Sequence, residues 1–234
     1  MKQTTIVSAA WYKKGKATRQ ERFLGEMDPV IPWVPIVALI ELYYPKTGSG
    51  TQPMPLERML RIHFMQQWFN LSDPAMEDAI YDSASMRRFS GIELVDDAIP
   101  DESTILRFQY LLNRHGLSEQ IFTLVRGLLE QKRLLLKFGT LFDATIIEAR
   151  PSTKNETQAR EPEMKRGKKD AREWRFGMKA HVGTDRSRLA QTMVTNHAGT
   201  ADINQLPRLF TMFALANLYL VRRRLLPPRE ACPC

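Results

Sequence analysis

Apolar residues recur at the spacing of an α-helix through the first part of the chain, from about residue 21 to about residue 135. The signals around these runs agree with that spacing. Asp73 and Pro74 form a capping carboxylate followed by a proline, while Gly91 and Gly116 interrupt the pattern. The pattern therefore predicts helices at 34–44, 55–68, 73–81, 100–116 and 118–132.

The pattern changes near Phe138 to the alternation of apolar and polar positions that is typical of β-strands. Strands are predicted at 140–148, 174–182 and 189–194, with a hairpin turn at 183–187 between the last two. A polar, basic loop is predicted at 150–172, and helices at 200–209 and in the apolar run beyond it. The fold class predicted is α+β, with a helical half followed by a half that begins with a sheet.

Composition adds a preference for a polyanionic partner. The 234 residues carry a net charge of +8, which favours nucleic acid or an anionic membrane surface. A hydrophobic content of 43% is enough for a buried core, so wholesale disorder is not expected. No secretory signal is predicted, and the apolar run at 209–221 is too short to span a bilayer. Cys232 and Cys234 have no partners at zinc-ligand spacing, so a reducing cytoplasm is the expected compartment.

One carboxylate, Asp143, lies at the centre of the first predicted strand. Burying a lone carboxylate costs several kcal/mol, so it needs a hydrogen bond, a cation or a metal ion. Strand alternation places Glu148 on the opposite face, which makes the two residues a poor acid/base pair. The pattern leaves two interpretations open: a metal-binding carboxylate of a nuclease that uses two divalent ions, or a strand-end residue that caps a loop.

Basic residues cluster in the predicted loop between the first two strands. This run is either a contact for phosphate groups or a solvated loop, and its members are Lys165, Arg166, Lys168 and Lys169. The helices between residues 74 and 114 also fit a helix-turn-helix, whose second helix offers Arg107 and Gln109 to a DNA groove. A generic helical bundle explains the same periodicity.

Several motifs in a fixed order resemble the DDE transposases of bacterial insertion sequences, within the large fifth insertion-sequence family. The resemblance covers residues 20 to 206 almost continuously. Its motifs include PLERMLRIH at 55–63, WFNLSD at 68–73, AMEDA at 75–79, SMRRF at 85–89, IPDESTI at 99–105, DATII at 143–147, STKN at 152–155 and FGMKAH at 176–181. Gln109 departs from the family pattern, which usually has Arg at that position.

The resemblance implies a basic flexible arm at 1–20, a helical DNA-binding domain at 21–135 and a ribonuclease-H-like catalytic domain at 136–234. It implies binding to the terminal inverted repeats of an element, followed by Mg²⁺-assisted DNA cleavage and strand transfer. Asp143 corresponds to the first acid of the catalytic triad and to a metal ligand. A cytoplasmic protein associated with the bacterial nucleoid is expected.

The family's second Asp and its Glu have no counterparts here, because the chain passes from 202–206 directly into the apolar run at 212–220. The sequence around 207–211 therefore resembles an internal deletion, and the catalytic domain is expected to be truncated. The predicted product is an impaired transposase remnant. The alternative is a non-catalytic DNA-binding protein that competes with full-length transposase. The closing apolar helix is expected to lack its usual partners, and it either covers the open sheet or drives self-association.

Overall fold

The structure is a computed structural model, and it describes residues 16–46, 52–93, 97–135, 141–148, 166–170, 173–184, 188–195 and 205–226. The predicted basic arm therefore lies almost entirely outside the described residues. The helices are α1 (Arg19–Met27), α2 (Trp33–Glu41), α3 (Leu56–Phe69), α4 (Asp73–Asp82), α5 (Ala84–Ser90), α6 (Glu102–Arg114), α7 (Leu117–Gln131) and α8 (Gln205–Leu225). The strands are β1 (Leu141–Glu148), β2 (Arg166–Asp170), β3 (Glu173–Thr184) and β4 (Ala190–Thr195). The architecture is mostly helical with a small sheet, which agrees with the predicted α+β class.

Side-chain caps begin several of the helices. The N-cap of α4 is Ser72, whose hydroxyl accepts a hydrogen bond from the backbone of Ala75. The prediction that Asp73 is the cap was therefore wrong by one residue, and the side chain of Asp73 bonds elsewhere. At α6 the predicted helix start near residue 100 is confirmed, and its N-cap is Asp101, whose side chain accepts from the backbone N–H of Thr104 at 2.8 Å.

Two glycines hold left-handed turns between helices. Gly91 has φ of 70° and ends α5, a helix that the pattern did not predict, although the predicted break at Gly91 is confirmed. Gly116 has φ of 58° and separates α6 from α7, one residue after the C-cap of α6 at His115. Such backbone angles cost least for glycine, so both positions favour that residue, although Asn70 adopts a similar angle at the end of α3.

The helices up to α7 share one apolar core with α3 at its centre. Helix α3 contacts α2, α4, α5, α6 and α8. Because it is surrounded, its buried positions extend over most of its turns rather than one stripe. The largest fully buried side chains of the core are Met27, Ile36, Ile40, Met59, Leu60, Ile62, Phe64, Met65, Met76, Ile80, Ile105 and Leu112.

Arg61 on α3 ties the first helices together. Its guanidinium donates to Asp28 at 2.7 Å and to the Phe89 carbonyl at 3.0 Å, and its Nε donates to Glu57 at 2.9 Å. The same group lies 4.2 Å from the ring centre of Trp33, within range of a cation–π interaction. Arginine supplies this combination because its planar fork carries several donors on a surface that stacks.

Strand β3 is the centre of the sheet and pairs antiparallel with each of the other strands. Its C-terminal part pairs with β1 and β4, and its first residues pair with β2. The three predicted strands are confirmed within one or two residues. The prediction of a continuous loop at 150–172 was wrong for residues 166–170, which form β2. A short polar run has no apolar alternation, so its strand character depends on pairing with β3.

The closing helix α8 is continuous across Pro207 and packs against α7, α3, α1 and β4. Proline is tolerated there because it lies in the first helical turn, where its missing N–H has no partner in any case. Ala214, Leu215, Leu218 and Val221 are buried in the same core as the preceding helices. The expectation that this helix lacks packing partners was therefore wrong.

Asn217 joins α8 to the start of β4. Its side-chain amide donates to the Ala190 carbonyl and accepts from the Ala190 N–H, both at 2.8 Å and both buried. Arg126 of α7 also donates to the neighbouring Gln191 carbonyl at 3.2 Å. Two side chains from helices thus hold the start of β4, beside the shift in its register with β3.

Candidate functional site

Asp143 lies on β1 in register with Val182 of β3, which is buried at 8% exposure. The backbone therefore places Asp143 beside the interior part of the sheet, next to the strand that all the others join. This position agrees with the mid-strand placement expected from the sequence. The metal-binding role of Asp143 stays a prediction.

The other described carboxylates of the sheet lie far from Asp143. Glu148 pairs with Gly177, and at about 3.3 Å per residue it is roughly 17 Å from Asp143 along β1. Asp170 and Glu173 pair with each other at the opposite end of β3, roughly 30 Å from the level of Asp143. The described strands therefore bring no second acid to the position of Asp143.

This arrangement does not fit a site for two divalent ions. Such ions need several carboxylates to balance their charge and fix their geometry. Within the described ranges, no group of three or more His, Cys, Asp or Glu residues is placed to hold a metal ion. Asp185, Asp202 and Glu230 lie outside those ranges. Among the described residues, Asp143 is the one carboxylate at this position that could bind a metal ion. We therefore derive no metal-dependent step from it.

The predicted phosphate-binding cluster falls partly on β2. Arg166 pairs with Phe176 and Lys168 with Trp174 in the β2–β3 register, and Lys169 lies at the bulge that follows. Lys165 lies outside the described residues. The structure thus places most of this basic run on a strand at the start of β3.

The two predicted contacts on α6 differ in their surroundings. Arg107 is exposed to solvent. The Gln109 amide instead donates to Gln66 of α3 at 3.1 Å and to Asp73 of α4 at 2.6 Å. Gln66 also donates to Asp73 at 2.8 Å, so the three side chains form one network. Gln109 is held against neighbouring helices, and its expected role in a groove stays a prediction.

Several structurally important residues were not predicted as such. Asn217 and Arg126 carry no motif, and their role on β4 depends on contacts between residues distant in sequence. Tyr110 and Arg114 share the exposed side of α6 with Arg107. Their spacing of three and seven residues from Arg107 was the signal that could have found them.

His63 is a buried histidine on α3, and neither ring nitrogen has a hydrogen-bond partner. Burial lowers its pKa from 6.5 to about 4, with a further contribution from the positive charge of Arg208. Its ring lies near those of Phe64 and Phe108, at 6.3 and 6.0 Å between centres. His63 is therefore a neutral core residue at physiological pH, and the described residues around it form no group that could hold a metal ion.

Comparison with protein-family models gives two matches that together cover most of the chain. Residues 13–110 match a transposase domain (DUF772), and residues 137–223 match a transposase DDE domain. The first match spans helices α1 to α5, the first part of α6 and much of the core around them. The second spans the strand with Asp143 and continues into α8. No solved structure matches the chain.

A helical domain of transposases followed by a DDE domain defines the class of this protein. The chain belongs to the DDE transposases of insertion sequences, as its motifs indicated, and its domains indicate a function in DNA transposition. This family normally uses divalent metal ions and acts on DNA. None of the described helices is long and apolar enough to cross a membrane.

Proposed function

We propose that this chain is an insertion-sequence transposase remnant that binds DNA but whose catalytic centre is incomplete. The observation that carries the proposal is the isolation of Asp143 in the described sheet. Glu148 and the pair Asp170 and Glu173 lie roughly 17 and 30 Å away along the strands. Such a protein competes with full-length transposase for the same DNA.

The proposed domains follow the two family matches. Residues 21–135 form the DNA-binding domain after a basic arm at 1–20, and 136–234 form a truncated ribonuclease-H-like domain. Support comes from the antiparallel arrangement of β1, β3 and β4, with an acid on β1. The proposed setting is the bacterial nucleoid in the cytoplasm. Self-association through exposed sheet edges is part of the proposal.

Binding of double-stranded DNA at terminal inverted repeats is supported by the net charge of +8 and by family membership. We place phosphate contacts at Arg107 and in the basic run of Lys165, Arg166, Lys168 and Lys169. In this proposal Gln109 positions α6 against α3 and α4, because both of the hydrogen bonds that it donates go to those helices.

The binding experiment measures affinity for a fluorescein-labelled mixed-sequence duplex of about 30 base pairs at several salt concentrations. Each phosphate contact adds about −0.9 to the log–log slope, so a steep decline in affinity is expected. Binding that does not change between low and moderate salt contradicts the proposal. Adding the inverted repeats of candidate elements then tests for sequence preference.

The catalytic experiment measures nicking of supercoiled plasmid with added Mg²⁺ or Mn²⁺. No metal-dependent nicking is expected from the purified chain, because Asp143 alone cannot hold the ions that polarise the phosphodiester. Nicking that Asp143→Asn abolishes, and that the matched variant Glu148→Gln on the same strand retains, overturns the proposal. That result favours an active transposase whose remaining metal ligands come from elsewhere.

A further inference from the structure

The outward side of α6 carries an unusual combination of exposed side chains. Arg107 and Arg114 are exposed, and between them Tyr110 is 55% exposed. Leu106, on the flank of the same surface, is 38% exposed. Exposed aromatic and aliphatic side chains between cations are typical of surfaces that contact nucleic acid.

Helix geometry places these residues in one stripe. At 100° per residue, Arg107 and Arg114 differ in direction by about 20°, and Tyr110 lies within about 60° of both. Two helical turns separate the arginines by roughly 10 Å along the axis. The major groove of duplex DNA is about 12 Å wide, so two extended arginines reach phosphates on its two sides.

The charges around α6 favour the binding of phosphate at the C-terminal half of this stripe. The charge of Arg107 acts on the carboxyl of Asp101, but within the described parts of the chain neither Arg107 nor Arg114 forms a salt bridge, so both guanidinium groups can contact an anion. The N-terminal end is acidic, with Asp101 as its cap and Glu77 accepting from the backbone of Glu102 at 2.8 Å. Phosphate is therefore repelled from the start of α6 and attracted to its later turns.

The stripe is also held rigidly. The opposite side of α6 is buried in the core through Ile105, Phe108 and Leu112, each at most 4% exposed. The bonds of Gln109 to Gln66 and Asp73 then fix the rotation of α6 against α3 and α4. A surface that does not rearrange loses less entropy on binding.

We infer that the stripe of Arg107, Tyr110 and Arg114 is the surface that holds duplex DNA, an assignment that rests on the proposed function. The arginines neutralise phosphates on both sides of the major groove, and Tyr110 enters the groove between them. This orientation differs from a helix-turn-helix, in which the first residues of the recognition helix contact the bases. The acidic start of α6 accounts for the difference.

The test measures binding of the same mixed-sequence duplex by Arg107→Ala, Arg114→Ala and their double variant. Each single variant is expected to weaken binding roughly tenfold near 0.1 M salt and to reduce the log–log slope by about 0.9. The double variant combining Arg107→Lys and Arg114→Lys retains the slope, because lysine also neutralises phosphate. Tyr110→Ala weakens binding without changing the slope, since tyrosine releases no counterion.

The matched control is Arg22→Ala, which removes an exposed arginine from α1 rather than from α6. It is expected to leave both affinity and slope nearly unchanged. If Arg22→Ala and the α6 variants lose equal affinity, or if the α6 variants lose none, this inference is overturned while the proposed function stands. If the unmodified chain does not bind the duplex, the proposed function fails and this inference fails with it. Urea unfolding of each variant checks that its fold is retained.

Discussion

The helical region and the sheet differ in how their structures are held. Residues 52–93 and 97–135 form helices with local caps and a core in which residues such as Phe64 and Met76 are fully buried. The sheet depends on one strand, β3, for every pairing it makes in the described residues. Of its described side chains, Val182, Leu189 and Ala190 belong to the common core. The helices of this protein therefore begin at caps a few residues away in the sequence, whereas the strands are held by partners that are distant in the sequence.

Helix α8 connects the two regions. It falls within the match to the DDE domain, yet it packs against α7 and α3 of the helical region. Asn217 then extends this contact to β4. Helix α8 is therefore packed mainly by helices that precede the sheet, and β4 is its partner within the sheet.

The largest expected effect tests whether the helical region carries the stability of the protein. Arg61→Ala removes the hydrogen bonds to Asp28, Glu57 and the Phe89 carbonyl and leaves the half-buried Asp28 without its cation. We expect a loss of about 3 kcal/mol in the free energy of unfolding, because three hydrogen bonds of about 1 kcal/mol each are lost together. Urea denaturation followed by circular dichroism measures it.

The control for Arg61 is Arg88→Ala, which removes an arginine that is 40% exposed, against 16% for Arg61, from its ion pair with Glu21 at 3.1 Å. Its expected cost is below about 1 kcal/mol, because exposed pairs are screened by solvent. If the two variants lose the same free energy of unfolding, Arg61 has no special role in holding the first helices together.

The second prediction tests the contact between helix α8 and strand β4. Asn217→Ala leaves the buried N–H and C=O of Ala190 without partners, at a cost of about 3 kcal/mol. Limited proteolysis is expected to cleave the strands and α8 earlier than in the unmodified chain, while the helices up to α7 stay protected. Unchanged cleavage of α8 contradicts the proposed coupling.

A third prediction concerns the pH dependence of the helical core. The pKa of His63 falls from 6.5 to about 4 on folding, so the unfolded chain binds a proton more readily. Its contribution to stability is complete above pH 6.5 and is lost as the pH falls toward about 4, by up to about 3 kcal/mol. Urea midpoints at pH 7 and pH 5 measure this loss, and His63→Leu reduces it. An equal pH dependence in the variant would assign the effect to other groups.

The smallest expected effect compares two hydroxyl groups. Thr211 on α8 has a buried hydroxyl without a partner, so Thr211→Val is expected to stabilise the protein by up to about 1 kcal/mol. Ser72→Ala removes the cap of α4 and is expected to destabilise it by about 1 kcal/mol. Thermal unfolding gives both values. Shifts of the same sign would contradict one of the two assignments.

Local chemistry determined much of this structure. The apolar spacing after Pro55 predicted α3, and the run that begins at Pro100 predicted α6, because each signal acts within a few residues. The apolar run around Asp143 predicted β1, and the ordered set of motifs between residues 20 and 206 predicted the transposase family.

Only the tertiary structure decided how these elements meet. The sequence did not indicate that residues 166–170 pair with β3, since a polar run acquires strand character only from its neighbour. Nor did it indicate that Asn217 bonds to Ala190, or that Gln109 turns toward Asp73. Hydrogen bonds between distant residues depend on positions fixed by the whole core, whereas caps and apolar periodicity depend on the adjacent turns of the chain.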